Sequence, residues 1–371
     1  MSVRFLHTAD WQLGLRAAFV PGDTGAVVRD ARLRAVRRLE ELAASTGAEF
    51  VVVAGDVFEH HGLRPDTIRK TLDALASVAV PVYLLPGNHD PYTHESIWRS
   101  ELWRRECPPS VHVLASIDPV LVRPGVVLLP CPLLDKATLT DPTEHLTPSF
   151  GPSDAVRIGV AHGGILEILQ RLVAEGETPS NALSSALASR ARLDYVALGD
   201  WHGCLQVNER TWYSGAIEAT RFDERQPGQV LLVDIAAPGA LPAVTPHRVA
   251  TLSWIQETFE LDDEQDIVRV RAFVEALPQR SETLVELFLR GTLDAHLRAR
   301  LDTELARAAD VLRWLRVRDE GLHTDVRDAD LDDIATEGWV RAVIDGLRAD
   351  RSDDALRALR LLYRLHREVS A

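Results

Sequence analysis

Five short segments carry oxygen and imidazole donors in an order that suits metal chemistry. They are Asp10-Trp11-Gln12, Gly55-Asp56-Val57-Phe58, Gly87-Asn88-His89-Asp90, His162 within Ala161-His162-Gly163-Gly164, and Gly199-Asp200-Trp201-His202. Carboxylate, amide and imidazole ligands suit hard to borderline divalent cations such as Mn2+, Mg2+ or Fe2+ better than a thiolate set would. Each piece alone has a plainer reading. An Asp at a strand end is often a helix cap or turn residue, and a single buried histidine is more often a hydrogen-bonded core residue. Five such segments, each after an apolar run, are hard to explain by turn chemistry. Gly55, Gly87 and Gly199 allow tight turns and close backbone approach beside the metals.

The elements that must position these donors follow an α/β pattern. Strands are expected over residues 4–9, 49–54, 80–85, 111–115, 120–129, 156–161, 195–198 and 229–235, and helices over 26–45, 66–79 and 181–190. Several strands end in glycine or aspartate and then turn polar, which is where open α/β sheets place ligand groups. Residues 236–246, rich in Pro and Gly, read as a linker. A strand over 251–261, a helix over 264–276, a strand over 283–290 and a helix over 294–314 then suggest a small α+β domain. The tail reads as helical, and residues 319–354 carry twelve acidic and four basic side chains. Its last helix is expected to start at Ser352 as N-cap. Leu356, Leu359, Leu362 and Tyr363 share one face, with Arg357, Arg360, Arg364 and Arg367 as a second stripe. Such a helix either docks on its own domain or binds a partner.

Composition sets outer bounds. The 371 residues are 46% hydrophobic and 26% charged, which reads as an ordinary soluble globular protein. No apolar run approaches the ~18 residues of a membrane span, and no secretory signal is visible. Cys107, Cys131 and Cys204 have no C-x-x-C spacing, which argues against a disulfide framework and a cysteine zinc site. A reducing cytoplasm fits best. The net charge of −14 counts against gripping nucleic acid by bulk charge. Metal ions or a basic partner could supply the missing positive charge.

The motif order resembles that of the calcineurin-like metallophosphoesterases. The opening Phe5-Leu6-His7-Thr8-Ala9-Asp10-Trp11 and the string Val53-Ala54-Gly55-Asp56-Val57-Phe58 resemble the SbcD-like DNA repair exonucleases, nuclease subunits of the SbcCD complex. The resemblance covers residues 4–235. It implies a four-layer α-β-β-α sandwich of two mixed sheets over residues 1–246, a small α+β capping domain over 247–318 and a helical C-terminal segment over 319–371. By position it makes Asp56 the bridge between two metals. Asp10, Gln12 and His202 would complete one site, and Asn88, His162 and Asp200 the other. His89 would stand beside the metals as general acid or phosphate stabiliser, with Asp90 orienting its ring. Gln12 and Asp200 stand where the family usually has histidines, so a variant site is expected.

The function implied is Mn2+-dependent phosphodiester hydrolysis of DNA by a two-metal-activated water. The partners implied are DNA, a second copy in a homodimer, and an SMC-like, SbcC-like ATPase docking on the C-terminal part; no membrane is involved. A phosphodiesterase for a small nucleotide, or a weakly active scaffold for an ATPase, keeps the same site. His60 and His61 could touch substrate or be ordinary loop residues, and Arg16 and Arg64 could meet phosphate or be solvated charges. His7 reads as structural, and Trp11 and Trp201 as packing residues.

Overall fold

A computed structural model describes residues 2–17, 20, 22–170, 179–325, 331–332, 334, 338–350 and 352–370. The side chains at 353, 356, 357, 360, 364 and 367–370 lie outside that description, so the stripe of Arg357, Arg360, Arg364 and Arg367 and the face residue Leu356 do too. Contacts divide the chain into two units, Met1–Leu252 and Ser253–Ala371.

The first half of the first unit runs β1 (Val3–Thr8), α1 (Gly22–Thr46), β2 (Val51–Val53), α2 (Pro65–Ala76), β3 (Val82–Leu84), α3 (Glu101–Glu106) and β4 (Val111–Val113). Next come β5 (Val120–Arg123), β6 (Val126–Cys131), β7 (Val156–His162), β8 (Gly164–Ile165), α4 (Leu166–Leu169), β9 (Ala182–Leu183) and α5 (Leu187–Arg190). The unit ends with β10 (Tyr195–Gly199), β11 (Leu205–Asn208), β12 (Thr211–Tyr213), β13 (Gln229–Ile235) and β14 (Ala243–Arg248). Two six-stranded mixed sheets result, in the orders β14-β13-β1-β2-β3-β4 and β11-β12-β10-β7-β6-β5. Strands β1 to β4 run parallel, as do β6, β7, β10 and β12.

Side-chain alternation along each strand builds the layers. Phe5, Phe50, Val52 and Tyr83 of the first sheet share a core with Leu128, Ile158, Val160, Tyr195 and Ala197 of the second. On the opposite face of the first sheet, Val51 and Val53 pack on Leu33, Val36 and Leu39 of α1 and Leu72 and Leu75 of α2. On the opposite face of the second, Val196 and Leu198 pack on Leu187 and Ala188 of α5. Strands buried on both faces must be apolar throughout, which is why β2 reads Val51-Val52-Val53. This is the four-layer α-β-β-α sandwich that the family resemblance implies.

Three sequence expectations change. Residues 120–129 are not one strand but the hairpin β5–β6, turned at Pro124-Gly125, with Gly125 at φ 82. Residues 181–190 are not one helix. Asn181 sits at φ 52 and its amide ties Lys136 O and Thr138 N, and β9 pairs with β8 before the single turn of α5. The breaker-rich 236–246 is no linker. Its breakers make the turn between β13 and β14, and Pro246 lies on β14, an edge strand that tolerates a missing N–H. The domain boundary therefore falls at Leu252 rather than at residue 246.

The second unit contains β15 (Ser253–Leu261), α6 (Glu264–Ala276), β16 (Thr283–Asp294), α7 (Ala295–Val311) and β17 (Trp314–Asp325), and then the helices α8 (Gly338–Asp350) and α9 (Asp353–Ser370). The three strands form a parallel sheet in the order β15-β16-β17. A reciprocal capping box between Asp263 and Asp266 starts α6. The boundary expected at residue 318 falls inside β17. The strand runs on to Asp325, and its one buried residue, Leu322, joins the core of this unit. In the tail, Leu331, Ile344 and Leu359 form a small separate cluster, and Ser352 Oγ accepts Ala355 N–H at 3.1 Å, as an N-cap should. No helix among the described residues is long and apolar enough to cross a membrane.

The inter-sheet core offers a direct check. Phe50 stacks on Phe5 with ring centroids 5.0 Å apart and meets Tyr83 edge-on at 5.8 Å. Phe50→Ala is expected to cost about 3–5 kcal/mol in urea unfolding. A loss below 1 kcal/mol would show that the two sheets do not close on this ring.

Candidate metal centre

Parallel neighbouring strands deliver the donors to one rim. Asp10 and Gln12 follow β1, Asp56 follows β2, and Asn88 and His89 follow β3, while His162 ends β7 and Asp200 and His202 follow β10. The chain leaves these strands abruptly. Asp10, Gln12, Asp56 and Asp200 have φ of 51, 44, 53 and 95°, in the left-handed region. Such residues store on the order of 1–3 kcal/mol each and persist only where the surroundings hold them. Cross-loop hydrogen bonds do so: Asp10 N–H donates to Gly55 O (3.1 Å), Gln12 N–H to Asp56 O (2.9 Å) and Leu13 N–H to Val57 O (2.9 Å).

Two glycines are needed for the donors to meet. A Cβ on Gly55, itself at φ 97, would lie 2.1 Å from His162 Nδ1, and one on Gly87 would lie 2.2 Å from Asp56 Oδ1. Neither distance is physically possible, so any other residue would push the loops apart.

The geometry converges on Asp56. Ligand atoms of Asp10, Asp56 and His162 all lie within 4.8 Å of one another. His162 donates from Nδ1 to Ala54 O (2.8 Å), which leaves Nε2 aimed inward, 3.4 Å from Asp56 Oδ1 and 3.8 Å from Asp200 Oδ1. The Asn88 amide lies 2.8 Å from the same nitrogen. With its nitrogen inward it donates to His162 Nε2 and to Asp56 Oδ2 (3.1 Å); with its oxygen inward it would offer a donor atom to an ion held there. Asp10 accepts Asp200 N–H on both oxygens, at 3.0 and 3.1 Å. Across the site, His202 Nε2 lies 3.1 Å from Gln12 Nε2.

The electrostatics of this cluster call for cations. Burial pushes the Asp10 carboxyl up to about 6, with Asp56 and Asp200 adding to the effect. Burial also raises Asp200. For His162 burial acts downward, yet Asp56, Asp10 and Asp200 hold it well above its ordinary value. Asp56 is kept low against burial by His162 and His89. Three carboxylates and two inward imidazoles, without a thiolate, are a donor set for hard to borderline divalent ions. The residues present therefore fit a divalent metal ion.

His89 stands at the edge of this cluster. Its N–H donates to Asp56 Oδ1 (2.9 Å), its Nε2 lies 3.9 Å from Asp56 Oδ2, and its Nδ1 meets Glu59 O at 3.0 Å. The expectation that Asp90 orients this ring is corrected. Asp90 is buried and accepts Gly87 N–H (2.7 Å) and Phe58 N–H (3.0 Å), so it braces the two metal loops from behind. Burial, with Asp56 nearby, pushes its carboxyl up to about 8. The main-chain carbonyl of Glu59 holds the ring instead, and the Glu59 carboxylate lies farther off, with Oε1 3.9 Å from His89 Nδ1.

His61 accepts Ile97 N–H on Nδ1 at 3.3 Å and so braces the loop before α3. His60 lines a cavity of about 710 Å³ together with Arg16, Arg29, Arg64 and Lys70. His7 is structural, as expected: it is buried against Tyr195 OH (2.9 Å), and burial lowers it to about 3. Trp11 is buried with its Nε1 on Thr8 Oγ1 (3.0 Å), and Trp201 packs on the outer core of the second sheet. Arg32, Thr220 and Glu224, which hold the Gln12–His202 side of the centre, carry no sequence signal. Arg32 is a charged residue in mid-helix, and the other two lie about twenty residues beyond the last motif.

The model of the calcineurin-like phosphoesterases matches residues 3–204, more than half of the chain. The protein belongs to this family. It is also similar to a protein of Bacillus subtilis (strain 168) called "Uncharacterized metallophosphoesterase YhaO", with 26% identity over 121 residues. That stretch is 31% of this chain and 28% of the relative, so the chain spans well under two thirds of the relative's length.

Stability should report the charge cluster. Folded Asp90 keeps its proton to about pH 8 against an ordinary 3.8, and His162 and His202 are held above 6.5. Between about pH 7 and 8 the metal-free fold thus binds more protons than the unfolded chain, and stability falls as pH rises. His7 acts with the opposite sign, but only below about 6.5. Melting in EDTA should drop from pH 7 to 8, and saturating Mn2+ should flatten that slope; equal slopes in both would contradict it. Asp90→Ala should cost about 2–4 kcal/mol by unmaking two bonds from buried N–H groups. A loss below 1 kcal/mol would mean that these bonds do not hold the loops.

Proposed function

We propose that this metal-dependent phosphoester hydrolase cleaves phosphodiester bonds in DNA as an SbcD-like exonuclease and endonuclease, with Mn2+ as its preferred ion. The observation that carries the reading is the convergence of Asp10, Asp56 and His162 beside an oriented His89. Asp56 would bridge two ions, with Asp10, Gln12 and His202 on one side and Asn88, His162 and Asp200 on the other. Bound cations would lower the pKa of a water and neutralise charge on the phosphate. His89 gives Nδ1–H to Glu59 O and presents Nε2 to the site, where it would hand a proton to the departing oxygen.

Support for a polyanionic substrate comes from the cavity beside the metal loops. In a chain of net charge −14, Arg16, Arg29, Arg64 and Lys70 line it together with His60, against only Asp30 and Asp66. Leu13 and His60 tie this cavity to the loops that carry Gln12 and Asp56. Local positive charge of this kind meets phosphates that the chain as a whole would repel. The proposed assembly is a homodimer with an SMC-like ATPase in a reducing cytoplasm. In its favour, the cysteines are free, and the tail exposes Trp339 and Val343 on α8 and Leu361 and Leu365 on α9.

With Mn2+ the chain should hydrolyse bis(p-nitrophenyl) phosphate and linear duplex DNA, and the DNA faster than cyclic nucleotides. Asp56→Ala should abolish turnover. His89→Ala should keep the bound metal and lose about 10²–10⁴-fold in rate. Preference for the cyclic nucleotide would replace DNA with a small substrate, and no turnover with any divalent ion would make the chain a scaffold.

A further inference from the structure

The Gln12–His202 side of the centre has a neutral amide where an imidazole is usual, and it is backed by a carboxylate that no motif contains. His202 Nδ1 lies 2.7 Å from Glu224 Oε1 and 3.0 Å from Thr220 Oγ1. The Glu224 side chain is 3% exposed. Its other oxygen accepts Thr220 N–H at 2.9 Å, and the Thr220 hydroxyl donates to Oε1. Glu224 thus takes its hydrogen bonds from His202 and Thr220 and stands behind the ring of His202. With Nδ1–H given to Glu224, His202 can offer only the lone pair of Nε2, the nitrogen that faces Gln12 at 3.1 Å.

The loop carrying this carboxylate is anchored to the metal loop from below. Arg32 of α1 is fully buried, and its guanidinium donates to Trp11 O (3.2 Å), Glu218 O (3.2 Å) and Ala219 O (2.8 Å). One cation therefore clamps the peptide between Asp10 and Gln12 to the residues just before Thr220. His162 has no such carboxylate: its Nδ1 meets the carbonyl of Ala54. The two inward histidines thus differ in what stands behind them, and the charged support lies behind the one whose neighbour is the weak ligand.

We propose that Glu224 is a positioning residue that fixes the His202 tautomer and raises the basicity of Nε2, so that the Gln12-containing half of the centre holds its ion. The inference rests on the metal pair proposed above. A carboxylate behind a ligating imidazole makes the ring a stronger ligand, and its loss typically weakens a metal by about 10–100-fold. Glu224→Gln would keep an acceptor for Nδ1–H and lose the charge, whereas Glu224→Ala would lose both. The two substitutions should therefore separate orientation from basicity.

The test reads Mn2+ binding by calorimetry and, in the metal-free protein at a pH where the ring is neutral, the His202 tautomer by 15N NMR. In Glu224→Ala one of two ions should bind about 10–100-fold more weakly with the other unchanged, and the ring should shift toward Nε2–H. Glu224→Gln should keep the tautomer and show a smaller, equally selective loss of affinity. An unchanged tautomer in Glu224→Ala overturns the proposal. So does unchanged binding of both ions, or an equal loss at both, which would mean that the residue only supports the fold. If the wild-type protein binds fewer than two ions, the metal-pair reading falls, and the tautomer measurement still decides whether Glu224 sets the ring.

Discussion

The burial of ionisable carboxylates is the constraint that organises this molecule. Asp10 and Asp56 are almost wholly buried, and the charge of Asp200 adds to the effect of burial on Asp10. In a low-dielectric interior such groups either keep protons or gather positive charge. The sandwich favours the second course. It supplies inward imidazoles from His162 and His202 and a donor set matched to divalent ions, on loops held in left-handed conformations by hydrogen bonds to one another. The strain and the missing Cβ atoms at Gly55 and Gly87 follow from the same demand, because the donors can meet only if the backbones come unusually close.

The parallel sheets make the convergence possible. Neighbouring parallel strands end on the same rim, so motifs far apart in the chain reach one point without long loops. Gln12 and Asp200 sit within this frame as substitutes with distinct jobs. Asp200 uses its N–H to tie Asp10 and keeps a carboxylate oxygen 3.8 Å from His162 Nε2. Gln12 brings an amide against His202. The centre is more anionic on one side and more neutral on the other than a set of histidines would make it, and the supports behind the two sides differ accordingly.

Much of the centre was legible in the sequence because each motif is local. A strand, a glycine and a polar donor are contiguous in Gly55-Asp56 and in Gly87-Asn88-His89, and the valine runs before them mark strands buried on both faces. What was not legible depends on direction or on distance along the chain. Asp90 adjoins His89 in sequence, but consecutive residues of a turn point different ways, and its carboxylate turns to Gly87 and Phe58 N–H. Glu224 lies 22 residues beyond His202, in a stretch whose composition says only loop. The breakers at 236–246 fit a hairpin turn as well as a linker, and only pairing of β13 with β14 separates the two. The acidic composition after residue 318 hid the end of β17, whose inward residues are few.

The most direct measurement is anomalous diffraction from crystals soaked in Mn2+. Two peaks about 3.5–4 Å apart are expected, with Asp56 between them, Gln12 and His202 beside one, and Asn88 and His162 beside the other. The absence of peaks at saturating Mn2+, or peaks remote from Asp56, would contradict the metal pair and with it the proposed chemistry.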